Sequence, residues 1–260
     1  MRFSKYEGLG NDFIVIEAAS SDALSPERVV ALCDRRFGVG ADGVLLVLRG
    51  EGAEDGRMRV LNADGSVPEM CGNGLRCVAL HLARAGRVDS VSLVIGTDAG
   101  PRACDVSRAG EAAQVSVDMG EVRSLGAVTL DIDGAPLPLH LADAGNPHAI
   151  AFGSFTQADV ARIGPLVEKH STFPRGTNVE FACVHNAHID LVVWERGVGV
   201  TLACGTGACA TARVARGLGL VPASGELNVR LPGGTLRVDP REDGRTRMVG
   251  PARYVFGGDV

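Results

Sequence analysis

An internal repeat is the feature that most constrains what this chain can fold into. Three short patterns occur twice in the same order, at offsets of 133 to 136 residues. They are Gly-Asn at 10–11 and 145–146, Phe-x-x-Gly at 37–40 and 173–176, and Cys-Gly-x-Gly at 71–74 and 204–207. A repeated order of landmarks indicates a repeated structural unit, so the sequence predicts two similar domains related by a pseudo-twofold axis.

Local patterns within each half predict both strands and helices. Alternating apolar residues indicate strands, and Ser25 before Pro26 indicates the start of a helix, which we expect to end near Gly38. The predicted fold class is α/β, of a mixed α+β kind, with each domain a curved mixed or antiparallel sheet wrapped around a central helix. We expect the domains to span 1–115 and 116–250, with the tail 251–260 returning to the first. Ligand sites favour domain interfaces, so an active site in the interdomain cleft is expected.

Composition and charge exclude several function classes. A net charge of -5 argues against nucleic acid as the main partner, and an aromatic content of 4% is too low for a base-stacking surface. No segment approaches the ~18 apolar residues of a membrane span. The segment 1–7 is too polar for a signal peptide. We therefore expect a cytoplasmic protein with no nucleic-acid or membrane partner.

The chain has seven cysteines and no Cys-x-x-Cys pair. This usage indicates reduced thiols in a reducing compartment and argues against structural zinc. Free cysteines are usually small buried residues, and those inside apolar runs fit that description. The expected core cysteines are Cys33, Cys77, Cys104, Cys183 and Cys209.

Cys71 and Cys204 differ from the other five, because each lies in a glycine-rich turn at the predicted start of a helix. The backbone N–H groups and the dipole at a helix start favour negative charge, so we expect a lowered thiol pKa and an anion-binding turn. Two thiols placed around one cleft predict a two-base reaction. One thiol removes a proton from a carbon and the other delivers a proton to the opposite face, which inverts a stereocentre.

Three other patterns leave alternatives open. The segment 38–43 spells Gly-x-Gly-x-x-Gly, but a dinucleotide site needs a strand before it and a helix after it, and the predicted order here is the reverse. His148 is explained as well by a structural role as by a functional one. Glu195 has either a structural partner such as Arg196 or a ligand.

Longer segments across the whole chain resemble the diaminopimelate epimerase family. They are 5–13, 37–43, 62–66, 70–77, 145–148, 178–181, 195–197, 203–207 and 231–234. They follow the order found in that family. The resemblance implies a two-domain isomerase that uses two cysteines and no cofactor. Its reaction would interconvert LL- and meso-diaminopimelate in the biosynthesis of lysine and peptidoglycan precursors.

The resemblance also implies roles for individual residues. The acid/base pair is Cys71 and Cys204. Four asparagine side chains are expected to bind the distal amino-acid end and other polar groups of the substrate: Asn11, Asn62, Asn146 and Asn178. The backbone N–H groups expected to donate hydrogen bonds to the reacting carboxylate are those of Gly72, Asn73, Gly205 and Thr206. Glu195 and Arg196 are expected to contact the substrate amine and carboxylate, and His148 and Glu195 to tune the thiols. Some members carry Gln where this chain has Gly43.

The expected partner is a small-molecule diamino diacid, with no cofactor and no metal, and with a homodimer as the candidate assembly. Two alternatives remain at this stage. A proline or hydroxyproline racemase would use the same chemistry, although the four asparagines and Glu195-Arg196 favour a longer substrate. The second alternative is a thiol-based redox or metal-binding protein that catalyses no reaction. A metal assay on the purified protein would distinguish this alternative from an epimerase.

Overall fold

The computed structural model describes residues 1–68 and 70–260, which form two compact units. The first consists of Met1–Asp118 with Val249–Val260, and the second of Met119–Met248. Both units combine many strands with two helices each, which confirms the predicted mixed α+β class. Among the described residues, no helix has the length and apolarity to cross a membrane.

The first unit is a mixed sheet with two helices. Its strands β1 to β7 neighbour one another in chain order, with β2 and β3 parallel and β3 and β4 antiparallel. The elements are β1 (Arg2–Gly8), β2 (Asn11–Glu17), α1 (Pro26–Cys33), β3 (Gly43–Leu48), β4 (Gly56–Asn62), α2 (Gly72–Ala85), β5 (Ser90–Gly96), β6 (Arg102–Ala109) and β7 (Ala112–Glu121).

The second unit has the same plan. Strands β10 and β11 run parallel, as β2 and β3 do, and the next neighbour is antiparallel. The elements are β8 (Arg123–Ile132), β9 (Ala135–Asp143), β10 (Pro147–Phe152), α3 (Gln157–Glu168), β11 (Asn178–Val184), β12 (His188–Glu195), β13 (Gly199–Thr201), α4 (Gly205–Gly217), β14 (Leu227–Leu231) and β15 (Gly234–Pro240). The long last strand, β16 (Arg245–Asp259), leaves this unit and pairs antiparallel with β1.

One buried helix lies against the strands of each unit. Helix α2 contacts strands β1 to β6, and α4 contacts strands β8 to β12, β14 and β15. Every residue of α2 from Gly72 to Leu80 is buried, as is every residue of α4 from Gly205 to Ala212. Most of these residues are apolar or small, as burial on every face requires, and the buried polar side chains of Asn73 and Arg76 are hydrogen-bonded. Glycine, alanine and cysteine at these positions allow the sheet strands to approach closely.

Helix α1 begins where the sequence predicts but ends earlier. Ser25 caps it by accepting a hydrogen bond from the backbone N of Arg28 at 3.3 Å. The predicted end near Gly38 is wrong, because the helix stops at Cys33 and the Asp34 carboxylate accepts bonds from two following backbone N–H groups. The glycine-rich segment 38–43 therefore follows a helix and leads into β3, which is the order that disfavours a dinucleotide site.

Helix α3 packs against β12 at a point of close approach. A Cβ added at Gly164 would lie 2.6 Å from Cγ of Trp194, so the indole ring occupies the space that any side chain at 164 would need. The Trp194 Nε1–H donates to Oε2 of Glu168 at 2.7 Å, which fixes the ring against the helix. This contact holds the end of β12, where Glu195 follows Trp194.

We predict that two glycine-to-alanine changes in helices α3 and α4 alter the free energy of unfolding in opposite directions. Gly164→Ala should lower the free energy of unfolding by ~1–3 kcal/mol, because the new methyl group meets Trp194. Gly217→Ala, at the last residue of α4, should raise it by up to ~0.5 kcal/mol, the lower end of the gain found inside a helix. Gly217 has no described neighbour within 4 Å of its Cβ position outside its own helix. Urea unfolding measures both effects, and a Gly164→Ala protein as stable as the parent would contradict this packing.

Candidate active site

Cys71 is the N-cap residue of α2. Its backbone is extended, with φ -140° and ψ 100°, and its Sγ accepts a hydrogen bond from the backbone N of Gly74 at 3.3 Å. The sulfur therefore takes the place that a serine or aspartate oxygen takes in an ordinary N-cap. The positive end of the helix dipole and the first N–H groups of α2 lie beside this thiol.

Cys204 repeats this geometry at the start of α4. Its φ is -126° and its ψ is 109°, and its Sγ accepts a hydrogen bond from the backbone N of Gly207 at 3.4 Å. The hydroxyl of Thr206 lies 3.5 Å from the same sulfur. Both cysteines predicted to be reactive thus begin a buried helix, each within its own unit.

Two of the predicted binding asparagines meet in the first unit. The Asn73 side chain donates from Nδ2 to Oδ1 of Asn11 at 3.1 Å and accepts from Nη2 of Arg76 at 2.9 Å. Arg76 is fully buried, and its Nε donates to the carbonyl of Pro251 on β16. The start of β2, which carries Asn11, is therefore held against the first turn of α2, directly after Cys71 and Gly72.

A charge network that sequence reasoning missed holds the other side of Asn11. Asn11 donates from Nδ2 to Asp42 at 2.7 Å, and Arg35 forms ion pairs with both Asp42 and Asp12 at 2.7 Å. Lys5 pairs with Asp12 at 2.6 Å. Burial acts to raise the pKa of Asp12, but hydrogen bonds from Arg35 and Lys5 hold it below its usual value. These ion pairs and hydrogen bonds fix the start of β2, where Asn11 and Asp12 lie.

Asn62 lies at the end of β4, opposite Gly43 on β3. Its Nδ2 donates to Oγ of Ser66 at 3.0 Å, so the turn after the strand sets the orientation of its amide. A Cβ added at Gly43 would lie 2.7 Å from the carbonyl oxygen of Leu61. A glutamine at position 43 would therefore require the backbone to move, so this chain has no side chain to offer there.

In the second unit, Asn178 fixes the backbone of Arg196. The Asn178 side chain is buried, donates to the carbonyl of Pro147 at 2.9 Å and accepts from the backbone N of Arg196 at 3.0 Å. Glu195, the preceding residue, accepts a hydrogen bond from the hydroxyl of Thr201 on β13 at 2.6 Å. The structure thus brings Asn178, Glu195 and Arg196 together around the end of β12.

His148 joins two neighbours deep in the second unit. Its Nε2 lies 2.8 Å from Oδ1 of Asn146, and its Nδ1 lies 2.6 Å from Oε1 of Glu180. The His148 and Glu180 side chains have no exposed surface. Glu180 was not predicted as a site residue. The available signal was a carboxylate in the middle of the apolar strand 178–184, where burial is costly unless the charge is held.

The expectation that a helix start lowers the thiol pKa is wrong for Cys204. Burial raises the pKa of this thiol well above its usual range, and the negative charges of Glu195 and Glu180 raise it further. Hydrogen bonds from Thr206 and from the backbone N of Gly207 act in the opposite direction but are the smaller effects. The negative charge of Glu195 favours the protonated form of this thiol.

The predicted core cysteines are mostly buried. Burial raises the pKa of Cys33 to about 11 and that of Cys104 to about 12, and it also raises the pKa of Cys77. Cys209 is buried one turn beyond the start of α4, which agrees with the prediction. Cys183 differs, since its position on β11 is only half-buried.

One surface cluster has the donor types of a metal site. On the β11–β12 hairpin, the Nε2 atoms of His185 and His188 lie 3.1 and 3.2 Å from the two carboxylate oxygens of Asp190. The guanidinium of Arg230 lies 3.1 Å from Nε2 of His188 and places a positive charge beside that ligand atom. This charge disfavours cation binding, and neither Cys71 nor Cys204 belongs to the cluster.

Comparison with known proteins identifies relatives along the whole chain. The family model described as diaminopimelate epimerase matches residues 3–125 and 140–255. A diaminopimelate epimerase from Synechococcus elongatus is 43% identical, covering 100% of this chain and 98% of the relative. One from Desulfitobacterium hafniense is also 43% identical, covering 99% of this chain and 97% of the relative.

Solved structures share the fold at low sequence identity. A probable proline racemase from Agrobacterium radiobacter has a TM-score of 0.76 at 16% identity and covers 100% of this chain and 92% of its own. This similarity concerns the fold, whereas the family model and the 43% identical relatives concern the sequence itself. On that evidence, the chain belongs to the diaminopimelate epimerase family.

Proposed function

We propose that this chain interconverts LL- and meso-diaminopimelate without a cofactor, using Cys71 and Cys204 as the acid/base pair. The observation that supports this most is the repeated placement of a thiol at the N-cap of a buried helix in each unit of a member of this family. A cysteine that merely filled the core would not need this backbone geometry twice.

Inversion at the α-carbon requires one thiolate and one thiol at the same time. The thiolate removes the α-proton, and the thiol delivers its proton to the opposite face of the carbon. Negative charge that develops on the substrate carboxylate would be stabilised by the first N–H groups of the two helices, at Gly72, Asn73, Gly205 and Thr206. These groups are fixed before the reaction begins, so stabilising the charge costs no reorganisation.

The polar residues fit a substrate with two amino-acid ends. Arg196 offers a cation and Glu195 an anion at the end of β12, and the backbone that carries Arg196 is held by Asn178. We propose that they bind the amine and carboxylate, with Asn11, Asn62, Asn146 and Asn178 placed for the distal end and other polar groups. His148 is proposed to tune the thiol chemistry.

The main alternative is a racemase of proline or hydroxyproline. The solved racemase similar to this chain shares its fold at only 16% identity, whereas the relatives at 43% identity are diaminopimelate epimerases. Turnover of a single diaminopimelate stereoisomer, measured against L-proline as a control, separates the two. Cytoplasmic location and a homodimer remain predictions.

We predict that a single stereoisomer incubated with the protein in heavy water gains deuterium at one α-carbon as it inverts. The thiol that delivers a proton must first exchange that proton with solvent, so the product carries the solvent isotope. Mass spectrometry of the product measures the incorporation. An inverted product without deuterium would rule out the two-base scheme.

We predict that Cys71→Ala and Cys204→Ala each lower kcat by at least ~10²–10⁴-fold, the usual contribution of a general acid or base. Each direction of inversion needs both groups, so neither variant should keep the full reaction. Cys183→Ala, which changes a half-buried cysteine on β11, is the matched control and should retain activity. Circular dichroism checks the fold, and an active Cys204→Ala protein would contradict the assignment.

We predict a bell-shaped dependence of kcat/KM on pH. The rate should rise as the first thiol ionises and fall when the second loses its proton, because the reaction then lacks an acid. Since burial and two carboxylates raise the pKa of Cys204, the falling limb should lie above the ordinary cysteine pKa of ~8.5. A rate that climbs steadily to alkaline pH, with the protein folded, would argue against a thiol acid.

A further inference from the structure

The two helix-start cysteines have matching backbone geometry but different neighbours. A Cβ added at Gly74 would lie 2.9 Å from Cδ2 of Leu45 and 3.3 Å from Sγ of Cys71. A Cβ added at Gly207 would lie 2.8 Å from Oε1 of Glu180 and 3.2 Å from Sγ of Cys204. The same small gap is therefore bordered by an aliphatic side chain in the first unit and by a carboxylate in the second.

The strand register shows that these neighbours occupy equivalent places. Leu45 is the third residue of β3, and Glu180 is the third residue of β11. On the adjacent parallel strands, Phe13 pairs with the first residue of β3 and His148 with the first residue of β11. The repeat thus carries Phe and Leu in one unit where it carries His and Glu in the other.

Glu180 is held firmly and is incompletely satisfied. Its Oε1 lies 2.6 Å from Nδ1 of His148, whose other ring nitrogen faces Oδ1 of Asn146. Its Oε2 is buried and has no hydrogen-bond partner among the described residues. A buried carboxylate of this kind is costly for folding, and retaining it where the repeat tolerates leucine indicates a role beyond packing.

The charged groups that act on Cys204 come from neighbouring strands. Glu195 reaches it from the end of β12, where Thr201 on β13 holds the carboxylate, and Glu180 reaches it from β11 with His148 of β10 behind it. The N–H groups of α4 act in the opposite direction. Like charge close to a sulfur disfavours its thiolate form.

We propose that Glu180, clamped by His148, is a positioning residue that keeps Cys204 in its thiol form and so makes the two cysteines chemically unequal. At the place of Glu180, the first unit presents Leu45 to Cys71. The consequence for catalysis rests on the proposed function: two-base inversion needs one thiol and one thiolate together, and unequal neighbours favour that mixed state over two thiols or two thiolates.

The test is the pH dependence of the alkylation of Cys204 by iodoacetamide, followed by peptide mapping in the substrate-free protein. The midpoint is the pH at which alkylation of Cys204 reaches half of its maximal rate. Glu180→Gln keeps the shape of the side chain but removes its charge, so the midpoint should fall by about one pH unit. Below the midpoint, Cys204 of this variant should then react approximately tenfold faster than in the parent. His148→Gln replaces a ring that can take up a proton by a neutral amide that can still donate to Glu180, so the carboxylate keeps its charge with less compensation and the Cys204 midpoint should rise. Glu180→Asp keeps the charge and should stay near the parent.

Glu226→Gln is the control, because Glu226 is a carboxylate of the same unit whose ion pairs are with Arg237 and Arg247. It should leave the Cys204 midpoint unchanged. The opposite signs at Glu180 and His148 matter because a loosened fold would expose Cys204 in both variants and lower both midpoints. The proposal is overturned if Glu180→Gln leaves the midpoint unchanged, or if His148→Gln lowers it.

If Glu180→Gln does not fold, the other two variants decide the question. The midpoint of His148→Gln must then rise while that of Glu180→Asp stays near the parent, and any other pattern overturns the proposal. Alkylation of the substrate-free protein needs no turnover. A parent protein that fails to epimerise diaminopimelate would therefore contradict the proposed function, whereas an unmoved midpoint in an active protein would contradict the role of Glu180.

Discussion

The first turn of one buried helix in each unit is the constraint on which the rest of the structure depends. Leaving a buried N–H group without a partner costs ~1–3 kcal/mol, so the start of α2 or α4 inside a sheet has to be capped. Cysteine sulfur serves as the cap in both places, and glycine three residues later lets the N–H reach it. The same arrangement that stabilises the helix start places a thiol beside the positive end of a helix dipole.

The elements around these helix starts are arranged to hold them rigid. In the first unit, the buried guanidinium of Arg76 connects α2 with β16 and with Asn73, and Asn73 in turn holds Asn11. In the second unit, Asn178 performs a comparable task for the backbone at Arg196. Polar side chains inside each unit thus orient other polar side chains, which is what a binding site for a small charged molecule requires.

The repeat conserves geometry but changes electrostatics. Gly74 and Gly207 leave the same gap beside each thiol, yet the gap faces Leu45 in one unit and Glu180 in the other. A duplicated fold supplies two similar helix starts, and substitutions on the neighbouring strands then make the two thiols different. Such a difference between the two thiols suits a reaction in which one cysteine acts as the acid and the other as the base.

The sequence by itself determined the repeat, the mixed fold class and the two cysteines at helix starts, because these follow from spacing, caps and glycines that act locally. It also marked Asn11, Asn73, Asn178 and Arg196, through the resemblance. Only the tertiary structure decided that Glu180 lies beside Cys204, that Arg76 anchors Asn73, and that the pKa of Cys204 is raised. Burial and the neighbours supplied by β11 and β12 depend on strands distant in sequence, and they outweigh the local helix dipole that sequence reasoning relied on.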